Sequence, residues 1–346
     1  MIKSAAVVGA GLTGCVVAER LAAKGVTVRM FDAAGRVGGL CADGYDGKGC
    51  RVQFGGPHIL HTAHRDVWDY LSRFTEWVPY VHEGWACVDH TYVPLPLTQL
   101  SLDALAMPYA EAHALLYGDY TRKMWGEHAA EMEGDAVGRM PQETRNSLRY
   151  FRSSERYEGL PQHGYSEMML RMLGTERVNV SLNCEVPPQQ LDELCREHDA
   201  VVYCGRPDRA GFWAEWDPIP HRTLVQEWTH VVDPQHEAAG GVPVMNFPQA
   251  DVGYLRVTDF RALLGQRHRL AAVLYEFPHN GTLDKYPTHP VCSEAGKALA
   301  RRYADALRER LPNLHLAGRL GTSSYLDMGE AVKRALALAG CLLTEG

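Results

Sequence analysis

Apolar positions at the start of the chain change period twice. Residues 4–8 (SAAVV) form a β-type run, residues 12–24 carry apolar side chains at helical spacing, and residues 26–31 (VTVRMF) are β-type again. Strand, helix and strand at this spacing predict a βαβ unit. A glycine-rich stretch runs from Gly35 to Gly56, followed by a helical pattern near residues 66–74. Residues 85–97 read as a hairpin closed by the proline-bounded VPLPL, and residues 102–130 turn helical, rich in Ala, Leu and Glu. After Gly164 the pattern predicts a helix (167–173), a strand (178–182), a helix (190–196) and a strand (200–204). Residues 222–277 hold further β-type runs (TLVQEW, YLRVTDF, RLAAVLYEF). A helix (294–310), a strand (314–317) and a helix after Asp327 end the chain. Parallel-type pieces lie at the start, middle and end, so the fold class is α/β, with a nucleotide-binding domain assembled from discontinuous segments.

Composition narrows the partners more than the fold. At 46% hydrophobic and 22% charged, the 346 residues match an ordinary globular protein of two or three units. A net charge of −7 opposes broad binding to nucleic acid or to anionic membranes, while a local arginine cluster for one phosphorylated small molecule stays compatible. Nine cysteines without a CxxC pair read as reduced thiols of a cytoplasmic protein, with neither disulfide framework nor zinc motif. No metal ligand set is assignable from the sequence, and a homo-oligomer is left open.

Gly9-x-Gly11-x-x-Gly14 sits between a strand and a helix, and Asp32 ends the next strand, 18 residues after Gly14. Such glycines permit a tight turn and close approach of a pyrophosphate, while the helix N-terminus supplies N–H donors. Asp32 can accept hydrogen bonds from an adenosine ribose. Arg36-Val37-Gly38-Gly39 follows and resembles the RxGG extension of two-dinucleotide-binding flavoproteins of the amine oxidase group. Leu314–Arg319 (LHLAGR) resembles their late, flavin-approaching strand. Only one complete fingerprint is present, so nothing suggests a second site for NAD(P)H, and the RxGG and late-strand resemblances favour FAD as the cofactor.

Gly55-Gly56-Pro57-His58-Ile59-Leu60-His61-Thr62 places two histidines three apart after a sharp bend. It resembles the GPHIFHT signature of flavin-dependent UDP-galactopyranose mutases. The likeness continues through Tyr120–Gly126 (YTRKMWG), Arg139-Met140-Pro141, Tyr150-Phe151, Arg156–Pro161 and Gly164-Tyr165. It extends to Asn246-Phe247, Tyr254, Arg256, Glu276-Phe277-Pro278, Tyr286-Pro287, Gly318–Gly321 and Tyr325–Met328, in family order over nearly the whole chain.

The resemblance implies three parts: an FAD domain (1–62, 160–205 and 312–346), a short helical substrate domain (100–159) and an antiparallel sheet domain (63–99 and 206–311). It implies interconversion of the pyranose and furanose forms of an NDP-hexose. In that family N5 of reduced FAD attacks the anomeric carbon as the nucleoside diphosphate departs. Arg139 and Arg256 match diphosphate-contacting arginines, whose guanidinium groups would stabilise the leaving group. Tyr150, Tyr286 and Tyr325 match diphosphate hydroxyl donors, Tyr120 a residue stacking on the nucleobase, and Trp125 the start of the sugar contacts. His58 matches the histidine beside the flavin ring. Asp327 is placed to cap the last helix and to border the site. Gly9, Gly11, Gly14, Asp32, Arg36, Gly38, Gly39, Leu40, His58, Gly318, Arg319, Asp327 and Met328 are the candidate cofactor contacts.

Four departures qualify the resemblance. The stretch between Leu100 and Tyr117 is short, Leu40 replaces a common asparagine, Met124 replaces a glutamine, and Tyr275 stands where many relatives carry an arginine near the flavin. They open the substrate to a GDP- or dTDP-linked deoxysugar as well as UDP-galactose. They also admit ring contraction without flavin, assisted by a divalent metal. An FAD-dependent oxidase or desaturase of amine-oxidase type shares the dinucleotide features, and a non-catalytic nucleotide-sugar binder is a third reading.

Overall fold

A computed structural model describes residues 2–126, 144–145, 147–211, 216–232, 241–279, 289–291 and 293–344. Five parallel strands form the first sheet, in the order Val178–Ser181, Thr27–Phe31, Ser4–Val8, Ala200–Tyr203, Leu314–Leu316. Strands covered on both faces read as continuous apolar runs, and successive residues here enter two different cores. Val7, Val28, Met30 and Val202 join one core cluster with the helices Leu12–Ala22, Tyr165–Leu173 and Met328–Thr344. Ala6, Phe31, Val201 and Tyr203 join a second with Leu191, Leu194 and Leu307 from the helices Pro188–Glu197 and Glu294–Arg310. Each fully buried Leu or Met of these layers contributes about 1.5–3 kcal/mol.

A seven-stranded, mainly antiparallel sheet stands beside it. Its order is His289–Pro290, His221–Val231, Ala271–His279, Arg256–Asp259, Val244–Asn246, Gly84–Val88, Thr91–Leu95. Smaller pairings join Asp43–Tyr45 to Arg51–Gln53, and Tyr157–Pro161 to both Leu60–Thr62 and Trp77–Pro79.

Packing differs from the sequence division at three places. The helix Arg65–Leu71 buries Val67, Tyr70 and Leu71 in the first parallel-sheet cluster, because that is its apolar face. Leu307 likewise ties the helix Glu294–Arg310 to the parallel sheet. The helical stretch after residue 98 shares a core with the hairpin: Val93, Leu95 and Leu97 pack with Ala112 and Leu116. That stretch is also broken. The helix Gln99–Leu105 ends at Ala106 in the left-handed conformation, and Pro108, unable to donate an N–H, starts the next. A π-helical turn, Ala114–Asp119, then leads into the helix Tyr120–Trp125. Among the described residues there is no disulfide, and no helix is long and apolar enough to cross a membrane.

Candidate active site

The dinucleotide fingerprint folds as its residue types require. A side chain at Gly14 would put its Cβ 2.0 Å from the Gly9 carbonyl oxygen, so only glycine lets the first helix start this close to the strand. That helix has no side-chain cap at its N-terminus, which leaves its first N–H groups to an anion. Asp32 accepts from the N–H groups of Ala10 (2.6 Å) and Ala34 (2.7 Å), placing its carboxylate beside the turn. The Gly38 N–H donates to the Ala10 carbonyl at 2.8 Å, so the RxGG segment is stitched against the fingerprint. Arg36 stacks on Phe54 at 4.0 Å, and a Cβ at Gly318 would lie 3.3 Å from Thr13 Oγ1, which brings the late strand to the same helix end. An uncapped helix N-terminus framed by close-packed glycines and a carboxylate fits the diphosphate and ribose of FAD.

The histidine-bearing bend that starts at Gly55 packs against the end of the RxGG segment, where a Cβ at Gly55 would lie 2.0 Å from the Leu40 carbonyl oxygen. Gly56 has φ +90°, and a Cβ there would meet Glu276 Oε1 at 2.6 Å. Glu276 is fully buried and binds Arg256 through both carboxylate oxygens, Nε to Oε2 at 2.5 Å and Nη2 to Oε1 at 2.9 Å. The two are direct cross-strand partners. Burial alone would lower the Arg256 pKa, but Glu276 raises it above the ordinary value, and Tyr120 and Tyr150 nearby add to that. Pairing along the Nε–Nη2 edge leaves the Nη1 group for an incoming anion.

His58 is fixed by Gln53, which receives its N–H at 2.6 Å and donates to its carbonyl at 3.0 Å. Its Nδ1 lies 2.9 Å from the Gly56 carbonyl. Only an N–H can satisfy that oxygen, so Nδ1 carries the proton and Nε2 the lone pair. Burial, aided by Arg319 and Arg256, pushes the imidazole pKa down to about 4, so it is neutral at pH 7. A cavity of about 130 Å³ is lined by Leu40, His58, Arg256, Arg319, Tyr325 and Asp327, with His61, Leu224 and Met328 beside them.

Comparison with known proteins decides the family. The UDP-galactopyranose mutase family model matches residues 115–325, and an NAD(P)-binding Rossmann-like domain model matches residues 7–74. The chain belongs to the UDP-galactopyranose mutase family. It is 27% identical to a probable UDP-galactopyranose mutase of Klebsiella pneumoniae, over 97% of this chain and 94% of the relative. It is 26% identical to a dTDP-fucopyranose mutase of Escherichia coli, over 96% of each. Its fold superposes on a crystal structure of reduced UDP-galactopyranose mutase with a TM-score of 0.74 at 14% identity, covering 99% of this chain and 96% of that one. As a mutase of this family the protein is an isomerase.

The family motifs converge unevenly on the cavity. His58, Arg256, Leu40, Arg319, Tyr325, Asp327 and Met328 line it. Asp327 also caps the last helix, accepting from the Glu330 N–H at 2.7 Å. Trp125 is buried with its ring edge-on to Tyr325, centroids 5.7 Å apart. Burial pushes the Tyr120 phenol up, and it donates to Asn246 Oδ1 at 3.0 Å. Tyr150 is more exposed and stands edge-on to His82 and Phe151. Arg139 and Tyr286 lie outside the described residues.

Tyr275 overturns one expectation from the sequence. Strand alternation turns it away from Glu276, and it packs edge-on to Tyr254 at 5.3 Å within a cluster around Met245 and Val257. It therefore does not stand in the cavity in place of an arginine.

Sequence reasoning passed over several contributors. Glu276 was visible only as a motif letter, although a carboxylate within an apolar strand (VLYEF) signals a buried partner. His61 binds Glu155 at 2.7 Å and stacks on Phe151 at 3.7 Å. Its ligand atoms, with those of Glu155 and Asp327, lie within 4.8 Å of one another. Lys123 donates to the carbonyls of Phe247, Gln249 and Tyr254, each at 2.8 Å, which ties the Tyr120–Trp125 helix to the sheet domain. Desolvation lowers its pKa to about 8.

Proposed function

We propose that this protein interconverts the pyranose and furanose forms of an NDP-hexose, with FAD bound in the cradle. The observation that carries it is the Arg256–Glu276 pair, which holds a buried guanidinium at a cavity shared with His58 and Arg319, on the side of the loop stitched to the dinucleotide fingerprint. Bound reduced FAD supplies the nucleophile for the anomeric carbon. Gly9, Gly11 and Gly14 admit the cofactor's diphosphate, Asp32 takes its ribose, and Arg36, Gly38, Gly39, Leu40 and Gly318 complete its bed.

Arg256 binds the substrate diphosphate through its Nη1 side, and its charge offsets what develops on the leaving group. Glu276 keeps that arginine from swinging out when the site is empty. Neutral His58 offers Nε2 as a proton acceptor beside the cofactor edge. Tyr325 and Tyr150 donate hydroxyl hydrogen bonds to the diphosphate, and Tyr120 stacks on the base. Trp125 walls off the sugar and excludes water. By resemblance, Arg139 and Tyr286 take the matching diphosphate roles, and the reading puts the substrate between the FAD domain and the antiparallel sheet domain.

Near-equal identity to a UDP-galactopyranose and a dTDP-fucopyranose mutase leaves the sugar to experiment. Ring contraction assisted by a divalent cation is the second reading, favoured by the His61, Glu155 and Asp327 cluster at the cavity edge. The test is a panel of UDP-, dTDP- and GDP-linked furanoses incubated with dithionite-reduced protein, with and without a chelator. Pyranose product that survives chelation is expected. Turnover abolished by the chelator and restored by Mg²⁺ would transfer the reaction to the metal, and oxygen uptake with an amine would replace the mutase by an oxidase.

A further inference from the structure

The hairpin Asp43–Tyr45/Arg51–Gln53 runs on into the His58 loop, and its turn holds a second constellation that the cavity does not use. Asp46 Oδ1 accepts from the N–H groups of Lys48 (2.8 Å) and Cys50 (2.9 Å), which locks the carboxylate. Its other oxygen lies 2.7 Å from His230 Nε2, on the long strand His221–Val231. The Cys50 thiol is buried, with Sγ 3.4 Å from His268 Nδ1. The ligand atoms of Asp46, Cys50 and His230 all lie within 4.8 Å of one another.

We infer that Asp46, Cys50 and His230 form a binding site for a divalent cation of the zinc type, with His268 beside the thiolate. One carboxylate, one thiol and one imidazole suit zinc and do not suit Mg²⁺ or Ca²⁺, which prefer all-oxygen shells. Bonds of about 2.0–2.3 Å in a tetrahedron place donor atoms about 3.3–3.8 Å apart, so the side chains need to shift by only about 1 Å. On binding, the metal replaces the thiol proton, which leaves to His268 or to solvent. A fourth position stays open to water or to His268. The ion would clip the turn to the strand that pairs with Ala271–His279, which carries Glu276. It thereby braces the hairpin that leads into the His58 loop against the sheet carrying Arg256. None of the three ligands lines the cavity, so the site stands independently of the mutase reading.

The test titrates chelator-stripped, full-length protein with Co²⁺ under a non-thiol reductant. One equivalent should raise a near-ultraviolet thiolate-to-cobalt band that Zn²⁺ abolishes by displacement. The His61, Glu155 and Asp327 cluster contains no thiol and cannot give this band. C50S should lose the band and one equivalent of Zn²⁺ while keeping its circular dichroism, and H230Q and D46N, at less buried positions, should lose them too. H268Q should keep the band and weaken Zn²⁺ binding about tenfold. A wild-type protein without the band, or a band that survives in both C50S and H230Q, overturns the inference.

Discussion

The two walls of the active site are built by different means. The dinucleotide cradle is mostly backbone: Gly14 against the Gly9 carbonyl, the Gly38 N–H on Ala10, and an uncapped helix end. The wall proposed to face the substrate is mostly side chains brought from distant segments: His58, Arg256 and Tyr325 at the cavity, with Glu276, Tyr120 and Tyr150 assigned beside them. A backbone site needs local turns and small residues, whereas a side-chain site needs every supporting strand in register. The cradle should therefore fail by steric exclusion of its ligand while the fold survives, and the substrate wall by loss of charge pairing, with rate and stability falling together.

Arg256→Ala should show the largest effect. It removes the cation proposed to face the leaving group, an expected cost of about 10²–10³-fold in kcat, and strands the buried Glu276 carboxylate at a cost of about 3–5 kcal/mol. Steady-state kinetics and denaturant unfolding would read the two. E276Q should recover part of the stability in the R256A background, because it removes the stranded charge. Gly14→Ala should break the cradle instead. Its Cβ overlaps the Gly9 carbonyl, an overpacking cost of about 1–3 kcal/mol that weakens FAD about 10–100-fold. Flavin content should fall with circular dichroism unchanged; equal loss of both would erase the distinction between the walls.

The same contrast governs what could be read from the chain. GxGxxG, the RxGG extension and Asp32 are contiguous signals whose spacing is their geometry, and the structure places them together. Arg256 and Glu276 are 20 residues apart and meet only because two antiparallel strands hold them opposite one another. No periodicity within either strand encodes that register. Tyr275 shows the converse failure, since its position in the motif suggested the cavity and its strand parity turned it away. The helix Arg65–Leu71 was recognised as a helix, but its partner was not, because an amphipathic face does not say what covers it. Lys123 was hidden in the YTRKMWG motif, since a lysine satisfied by three carbonyls looks like any surface lysine in sequence.

Smaller effects sharpen the side-chain wall. Lys123→Met should cost about 1–3 kcal/mol by leaving three carbonyls without their shared donor, seen as a lower denaturant midpoint. His58 and His82 are both pushed down to about 4 by burial, whereas in the unfolded chain they titrate near 6.5. The unfolded state thus binds more protons between those values. Stability from these groups should be full above about pH 6.5 and fall as pH drops toward 4. Urea titrations across that range should lose about one proton of slope in His58→Gln. Tyr120→Phe should be mildest, losing the bond to Asn246 for about 1 kcal/mol.

In the proposed reaction the anomeric carbon–oxygen bond of a nucleotide sugar breaks and reforms at the Arg256 cavity. The direct test places a heavy-oxygen label in the bridging position between sugar and diphosphate, and follows it by phosphorus NMR with the dithionite-reduced protein. The label should migrate into non-bridging diphosphate positions at a rate comparable to pyranose–furanose exchange, suppressed about 10²–10³-fold in R256A. Interconversion with the label held in the bridge would contradict that reaction.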